Sequence, residues 1–116
     1  MQLDEARAFA ADWIAAWNAH DLDRILSHYA EDIVFLSPVA ERRVGSGRVV
    51  GRAALGAYWR KGLDAQPELA FELIAVLAGY RCLTIQYRNH RGQSVAETVE
   101  FGADEAIVRA YACYCD

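Results

Sequence analysis

The sequence predicts one α+β domain, in which three helices from the first half pack against an antiparallel sheet built mainly from the second half. Three observations lead to this fold class. Apolar residues recur every three or four positions in the first half, and at every second position from residue 69 onward. The length of 116 residues allows one hydrophobic core and is too short for two, so we expect residues 1–116 to form a single domain.

Two helices are predicted at the start of the chain. Asp4 and Glu5 suit the positive end of the first helix dipole, and residues 18–20 interrupt the pattern. Asp21 then has the position of an N-cap for a second, short helix. The apolar face of the first helix carries Ala6, Phe9, Ala10, Trp13, Ile14 and Trp17, and that of the second carries Leu22, Ile25, Leu26 and Tyr29.

A short strand at residues 33–36 is predicted to stop at Ser37 and Pro38. Residues 39–48 have the composition of an irregular loop, and the arginines there, including Arg42 and Arg43, are interpreted as solvated. A third helix is expected to begin after Gly51 and to end before Pro67.

Four strands joined by short turns are predicted in the second half, at about residues 69–77, 82–88, 95–101 and 107–113. In the last strand, alternation predicts that Ile107 faces away from Ala110 and Ala112. Several strands are apolar on both faces, and an antiparallel sheet with two apolar faces needs both of them covered. This predicts a homodimer formed through the sheet; the alternative is an outer face that is merely patchy.

The composition limits which binding partners and which cellular location we expect for the protein. A net charge of −4 argues against nucleic acid as the main partner, because phosphate binding needs a basic surface. No stretch approaches the roughly 20 apolar residues that span a bilayer, so no membrane association is expected. The acidic N-terminal residues differ from a secretory signal, and an odd number of cysteines argues against a disulfide framework. We expect a cytoplasmic protein with no metal site and no cofactor.

The order of elements resembles the nuclear transport factor 2-like superfamily, which includes SnoaL-like proteins and ketosteroid isomerases. The resemblance rests on residues 13–21 (WIAAWNAHD), 28–38 (HYAEDIVFLSP) and 50–55 (VGRAAL), followed by Tyr58 and Trp59. It covers nearly the whole chain and implies a cone-shaped, cystatin-like fold, with a curved sheet that leaves a pocket open at one end. It says little about function, because this scaffold hosts enzymes, binding proteins and transport factors.

Comparison with ketosteroid isomerase implies that the chain lacks that activity. The general base of that enzyme matches Ser37, and a serine without an adjacent base cannot abstract a carbon-bound proton near neutral pH. Its oxyanion-hole tyrosine matches Trp13, which offers an indole N–H instead of a hydroxyl. Its second oxyanion donor aligns approximately with Glu97.

Glu97 is the most informative residue of the predicted sheet, because it shares a strand face with apolar Val95, Val99 and Phe101. Burial without a partner would raise its pKa and make it a candidate acid or base. The alternatives are an ion pair with a residue such as Arg88 or Arg109, or a strand edge open to water.

The leading hypothesis is a pocket that binds a small apolar molecule bearing polar groups. If the protein is an enzyme, cofactor-free isomerisation, dehydration or cyclisation is expected, with Glu97 as acid or base and Ser37 and Trp13 as hydrogen-bond donors. The second hypothesis is a non-catalytic, dimeric binding or protein-interaction module. Candidate pocket residues, for which core packing is the alternative, are Trp13, Trp17, Tyr29, Phe35, Tyr58, Trp59, Val99, Ala112 and Tyr114.

Overall fold

The computed structural model describes residues 1–115, which form four helices and six strands. The α+β fold class is confirmed, although the sequence predicts three helices and the structure has four. The helices are α1 (Leu3–Asn18), α2 (Leu22–Leu26), α3 (Pro38–Val44) and α4 (Arg52–Ala65). The strands are β1 (Tyr29–Leu36), β2 (Arg48–Val50), β3 (Glu72–Gly79), β4 (Cys82–Arg88), β5 (Ser94–Phe101) and β6 (Ile107–Tyr114).

The six strands form one curved sheet in the order β2-β1-β6-β5-β4-β3. The predicted antiparallel meander of β3 to β6 is confirmed, and β1 joins it by parallel pairing with β6. Helix α1 packs on β3 and helix α4 on β1, so the helices cover one face of the sheet, here called the inner face. Every second residue of β4 and β5 is buried against them, beginning at Leu83 and Val95.

The second helix is shorter than its apolar pattern predicts. Its N-cap is confirmed, because an Asp21 carboxylate oxygen accepts a hydrogen bond from the Arg24 amide at 3.2 Å. The placement of His28 and Tyr29 on this helix is wrong. Tyr29 begins β1 and pairs with Ile107, whose amide donates to the His28 carbonyl at 2.9 Å. Pairing with a strand distant in sequence therefore overrides the local helical spacing.

Residues 39–48, predicted as an irregular loop, instead contain most of helix α3 and the start of β2. The Ser37 hydroxyl oxygen accepts hydrogen bonds from the amides of Val39 (3.1 Å) and Ala40 (3.5 Å), and so caps the helix. Pro38 occupies the first turn, where its missing N–H would have no helical partner. Gly45 ends the helix with a φ of 81°, which glycine adopts without a steric penalty.

Replacing the capping hydroxyl should destabilise the protein measurably. We expect Ser37→Ala to lower the free energy of unfolding by about 1 kcal/mol, because the first amides of α3 lose their acceptor. Urea denaturation followed by circular dichroism measures this loss. Ser46→Ala, in the exposed turn after α3, is the matched control and should cost less. Equal stabilities of the two variants would contradict the capping role.

Strand β6 contains an irregularity that breaks the predicted alternation. Phe101 pairs with Ile107, whereas the adjacent Glu100 pairs with Arg109, so one extra residue lies in β6. Such a bulge shifts the side chains on one side of it to the opposite face. Ile107 is therefore buried together with Ala110 and Ala112, and its predicted orientation away from them is wrong.

The outer face of the sheet is partly polar. The hydroxyls of Thr84 and Thr98 lie 2.8 Å apart across β4 and β5, while Leu77 on β3 is 56% exposed. Dimer formation through this face stays a prediction. No helix among residues 1–115 is long and apolar enough to cross a membrane.

Candidate functional site

A cavity of about 250 Å³ lies between the helices and one end of the inner face of the sheet. It is smaller than the roughly 300–1,000 Å³ sites that hold drug-sized ligands, so it suits a molecule of about one or two rings. Its inner wall is largely aromatic and its rim is polar and basic. The aromatic wall consists of Trp17, Phe35, Tyr58, Trp59, Phe71, Tyr87 and Tyr114.

A second hollow, between α2 and α4, has a larger volume of about 740 Å³ but is wider and more open to solvent. Its wall includes Arg52 and Glu31, whose side chains lie 3.6 Å apart as an ion pair. Because the residues that line this hollow include no aromatic side chain and no buried ionisable side chain, we place the candidate site in the smaller aromatic cavity.

Five of the nine predicted pocket residues line this cavity: Trp17, Phe35, Tyr58, Trp59 and Tyr114. They converge from α1, β1, α4 and β6. Their rings also pack on one another, with the Trp17 and Trp59 ring centroids 4.9 Å apart and those of Phe35 and Trp59 5.4 Å apart. The same side chains therefore serve as both core and cavity wall.

The other four predicted pocket residues, Trp13, Tyr29, Val99 and Ala112, lie in the core outside the cavity wall. Trp13 is fully buried, and its indole Nε1 donates a hydrogen bond to the Tyr29 hydroxyl at 3.0 Å. The Trp13 N–H therefore already has an internal acceptor, which argues against the expected role of Trp13 as a hydrogen-bond donor to a ligand.

Glu97 lies on the inner face of β5, between Ile85 of β4 and Ala112 of β6. It is 5% exposed, and burial raises its pKa from 4.5 to about 8 because apolar surroundings disfavour the charged carboxylate. Within residues 1–115 it forms no ion pair, with Arg88 and Arg109 or with any other residue. The carboxyl group therefore carries its proton at neutral pH.

Four tyrosines lie within electrostatic range of Glu97. Burial is the largest cause of the raised pKa of each phenol, and a negative charge on Glu97 raises it further. One of them, Tyr29, is in the core, whereas Tyr58, Tyr87 and Tyr114 line the cavity. Glu97 itself does not line the cavity, but a charge on it acts on the three phenols that do.

Ser37 contacts the site indirectly. Its hydroxyl is close enough to Tyr114 to act to lower the pKa of that phenol, against the larger effect of burial. Its oxygen also caps α3, so the residue links the start of this helix to the cavity wall. Ser37 itself does not line the cavity.

The basic rim was missed by the sequence analysis. Helix α3 places Arg42 and Arg43 at the cavity, and the turn after β4 adds Asn89, His90 and Arg91. His90 lies in a turn, yet its side chain is only 12% exposed. The serine cap followed by proline could have predicted α3, and with it the position of the two arginines.

A second group of charged side chains, around His28 and Asp12, lies outside the cavity wall. His28 packs against the ring of Phe9, and its Nε2 lies 3.1 Å from an Asp12 carboxylate oxygen. Asp12 also pairs with Arg24, which is the largest cause of its lowered pKa. Within residues 1–115, no three His, Cys, Asp or Glu side chains are grouped as metal ligands would be.

Comparison with known proteins agrees with this architecture. Over its full length, the chain superposes on a SnoaL-like protein of unknown function from Burkholderia thailandensis, with 44% sequence identity, a TM-score of 0.95 and 99% of that chain covered. A proposed isomerase of the SnoaL-like family from Agrobacterium tumefaciens shares 15% identity, with a TM-score of 0.79 and coverage of 98% of this chain and 100% of the other.

A third structure, AclR from Streptomyces galilaeus, is described as a proposed hydroxylase. It shares 22% identity, with a TM-score of 0.77 and coverage of 98% of this chain and 91% of the other. At such identities the last two likenesses show the fold alone. No curated protein matches the chain. The family model described as "SnoaL-like domain" matches residues 10–110. The chain therefore belongs to the SnoaL-like family, which confirms the superfamily resemblance found in its sequence.

Proposed function

We propose that the protein binds a small, mostly apolar molecule in the aromatic cavity and assists proton transfer to an oxygen of that molecule. The observation that carries this proposal is the protonated, buried Glu97 within electrostatic range of three tyrosines of the cavity wall. A group whose pKa lies near the operating pH is suited to acid–base catalysis. The corresponding reaction class is cofactor-free isomerisation, dehydration or cyclisation.

In this mechanism a cavity phenol contacts the ligand and Glu97 acts behind it. Tyr114 has the best-defined setting, because it lines the cavity and lies within electrostatic range of both Glu97 and Arg43. Its phenol would donate a hydrogen bond to a carbonyl oxygen while a water molecule takes the α-proton and becomes a hydronium ion. The resulting enolate oxygen would then take the phenol proton to give the enol, and the phenolate would regain a proton from the hydronium ion. Glu97, while protonated, keeps negative charge away from the developing oxyanion. Glu97 is thus a positioning residue, and Tyr114 is the candidate catalytic residue.

Non-catalytic binding is the second candidate function. It is favoured by one specific observation, the position of Glu97 outside the cavity wall, since a carboxyl group that cannot touch the ligand cannot itself exchange a proton with it. The two functions share the cavity and differ in whether a bound ketone is activated.

Hydrogen–deuterium exchange in a bicyclic ketone distinguishes these functions. With 2-tetralone in D₂O, we expect the protein to accelerate exchange of the α-protons roughly 100-fold over buffer, a typical gain from general acid–base assistance. Nuclear magnetic resonance follows the loss of the α-proton signal, and calorimetry measures binding. Because the effect requires protonated Glu97, the acceleration should decline as the pH rises through about 8.

Glu97→Gln should lower the acceleration at least 10-fold and abolish its decline near pH 8. Glu100→Gln, an exposed glutamate on the same strand, is the matched control and should behave as the wild type. Tyr114→Phe should also lose exchange while retaining the fold, as judged by circular dichroism. Binding without accelerated exchange would establish the non-catalytic alternative, and absence of both binding and exchange would overturn the proposed function.

A further inference from the structure

The rim of the cavity concentrates positive charge. Arg42 and Arg43 reach it from the last turn of α3, and Arg91 reaches it from the turn between β4 and β5. Within residues 1–115, none of these three arginines forms an ion pair, and no Asp or Glu is among the cavity-lining residues. The chain has a net charge of −4, so this patch of positive charge is opposite in sign to the protein as a whole.

The field of these arginines extends to the cavity wall. The positive charges of Arg43 and Arg42 act to lower the pKa of Tyr58, against the larger effect of burial, and Arg43 does the same to Tyr114. The guanidinium groups are therefore close enough to act on a ligand in contact with these phenols. An arginine fork can also pair with a carboxylate through two parallel hydrogen bonds.

Two buried side chains at the cavity have unused polar atoms. The Nε1 of Trp17 is buried and has no hydrogen-bond partner, and the residue is 6% exposed. Both ring nitrogens of His90 are also buried and have no hydrogen-bond partner. Its Nε2 lies 3.5 Å from a Glu68 carboxylate oxygen. Buried donors without an acceptor are rare in folded proteins. Trp13, whose Nε1 is satisfied by Tyr29, shows the usual arrangement.

From these features, and resting on the cavity function proposed above, we propose that the ligand is a small aromatic carboxylate. Its ring would pack in the aromatic wall, and its carboxylate would lie at the rim formed by Arg42, Arg43 and Arg91, within reach of the His90 ring. The unsatisfied Trp17 N–H would donate to an oxygen of the ligand. Protonated Glu97 leaves the inner wall uncharged at neutral pH, so it does not repel an anion.

A pair of isosteric probes tests the carboxylate separately from the cavity. Isothermal titration calorimetry at pH 7 compares 2-naphthoate with 2-naphthamide, which has the same ring and no charge. We expect the wild type to bind naphthoate at least 10-fold more tightly, and this preference to shrink as salt is raised from 50 to 500 mM. On naphthoate binding, the Trp17 indole N–H resonance, assigned by its loss in Trp17→Phe, should shift.

The double variant Arg42→Gln/Arg43→Gln should bring the affinity ratio of the two probes close to one. Arg7→Gln/Arg60→Gln removes the same number of charges from exposed positions of α1 and α4 and should retain the preference for naphthoate. If the wild type binds both probes equally, or prefers the amide, the carboxylate assignment is overturned while the cavity function stands. If neither probe binds, the cavity function fails and this inference fails with it.

Discussion

Raising the pH from 5 to 9 should destabilise the wild-type protein by about 4 kcal/mol more than it destabilises Glu97→Gln. Below its unfolded pKa of 4.5, the Glu97 carboxyl is protonated in both the folded and the unfolded state. Above that value the unfolded chain loses the proton, whereas the folded protein holds it until about pH 8. Unfolding is therefore increasingly favoured between these two pKa values, and the loss of stability is complete above the higher one.

Urea denaturation at pH 5, 7 and 9 measures this effect, and the variant removes the titrating group without removing much volume. Because the comparison concerns pH dependence, any constant cost of the substitution cancels. Glu100→Gln serves as the control for removing a carboxylate from the exposed side of the same strand, and it should keep the wild-type pH dependence. Parallel stability curves for the wild type and Glu97→Gln would show that the carboxyl is not held protonated by burial.

The second large effect concerns the core residue Trp13. Trp13→Ala should lower the free energy of unfolding by about 4 kcal/mol, which is typical of removing a buried tryptophan. Trp13 is fully buried, its ring stacks on Phe71 at a centroid distance of 6.0 Å, and its N–H satisfies the Tyr29 hydroxyl. The substitution leaves both a void and a buried hydroxyl without its donor.

Urea denaturation of three variants separates these contributions. Tyr29→Phe keeps both rings but leaves the buried Trp13 N–H without an acceptor, and it should cost about 2 kcal/mol. Tyr80→Ala removes an aromatic ring that is 89% exposed and should cost little. A loss below about 1 kcal/mol in Trp13→Ala would contradict the packing described for this residue, because that is far under the cost expected of such a cavity.

The helices and strands that depend on local signals were predictable. The apolar face of α1, the cap at Asp21 and the two-residue alternation of β4 and β5 are all readable from neighbouring residues. The wrong predictions concern positions whose structure depends on pairing with residues distant in the sequence. Tyr29 has helical spacing but pairs with Ile107, and the bulge in β6 depends on its register with β5. Residues 39–48 are a different case, since their serine cap was a local signal that was overlooked.

For the site, alternation along one strand was enough to place Glu97 on an apolar face of the sheet, but it did not predict which residues surround it. The absence of an ion pair among the described residues, and the proximity of Tyr58, Tyr87 and Tyr114, depend on how three strands and a helix converge. The rim could not be predicted for the same reason. Arg43 and Arg91 are 48 positions apart in the sequence, and only the tertiary fold brings them to one opening.

The parallel pairing of β1 with β6 has a consequence for how the protein folds. Residues 29–36 find a sheet partner only at residues 107–114, so closing this pair requires about two thirds of the chain between them. Contacts of such long sequence separation slow folding, because a large loop must close before the pairing compensates for it. During synthesis, the pair of β1 and β2 therefore lacks its neighbouring strand until β6 has left the ribosome.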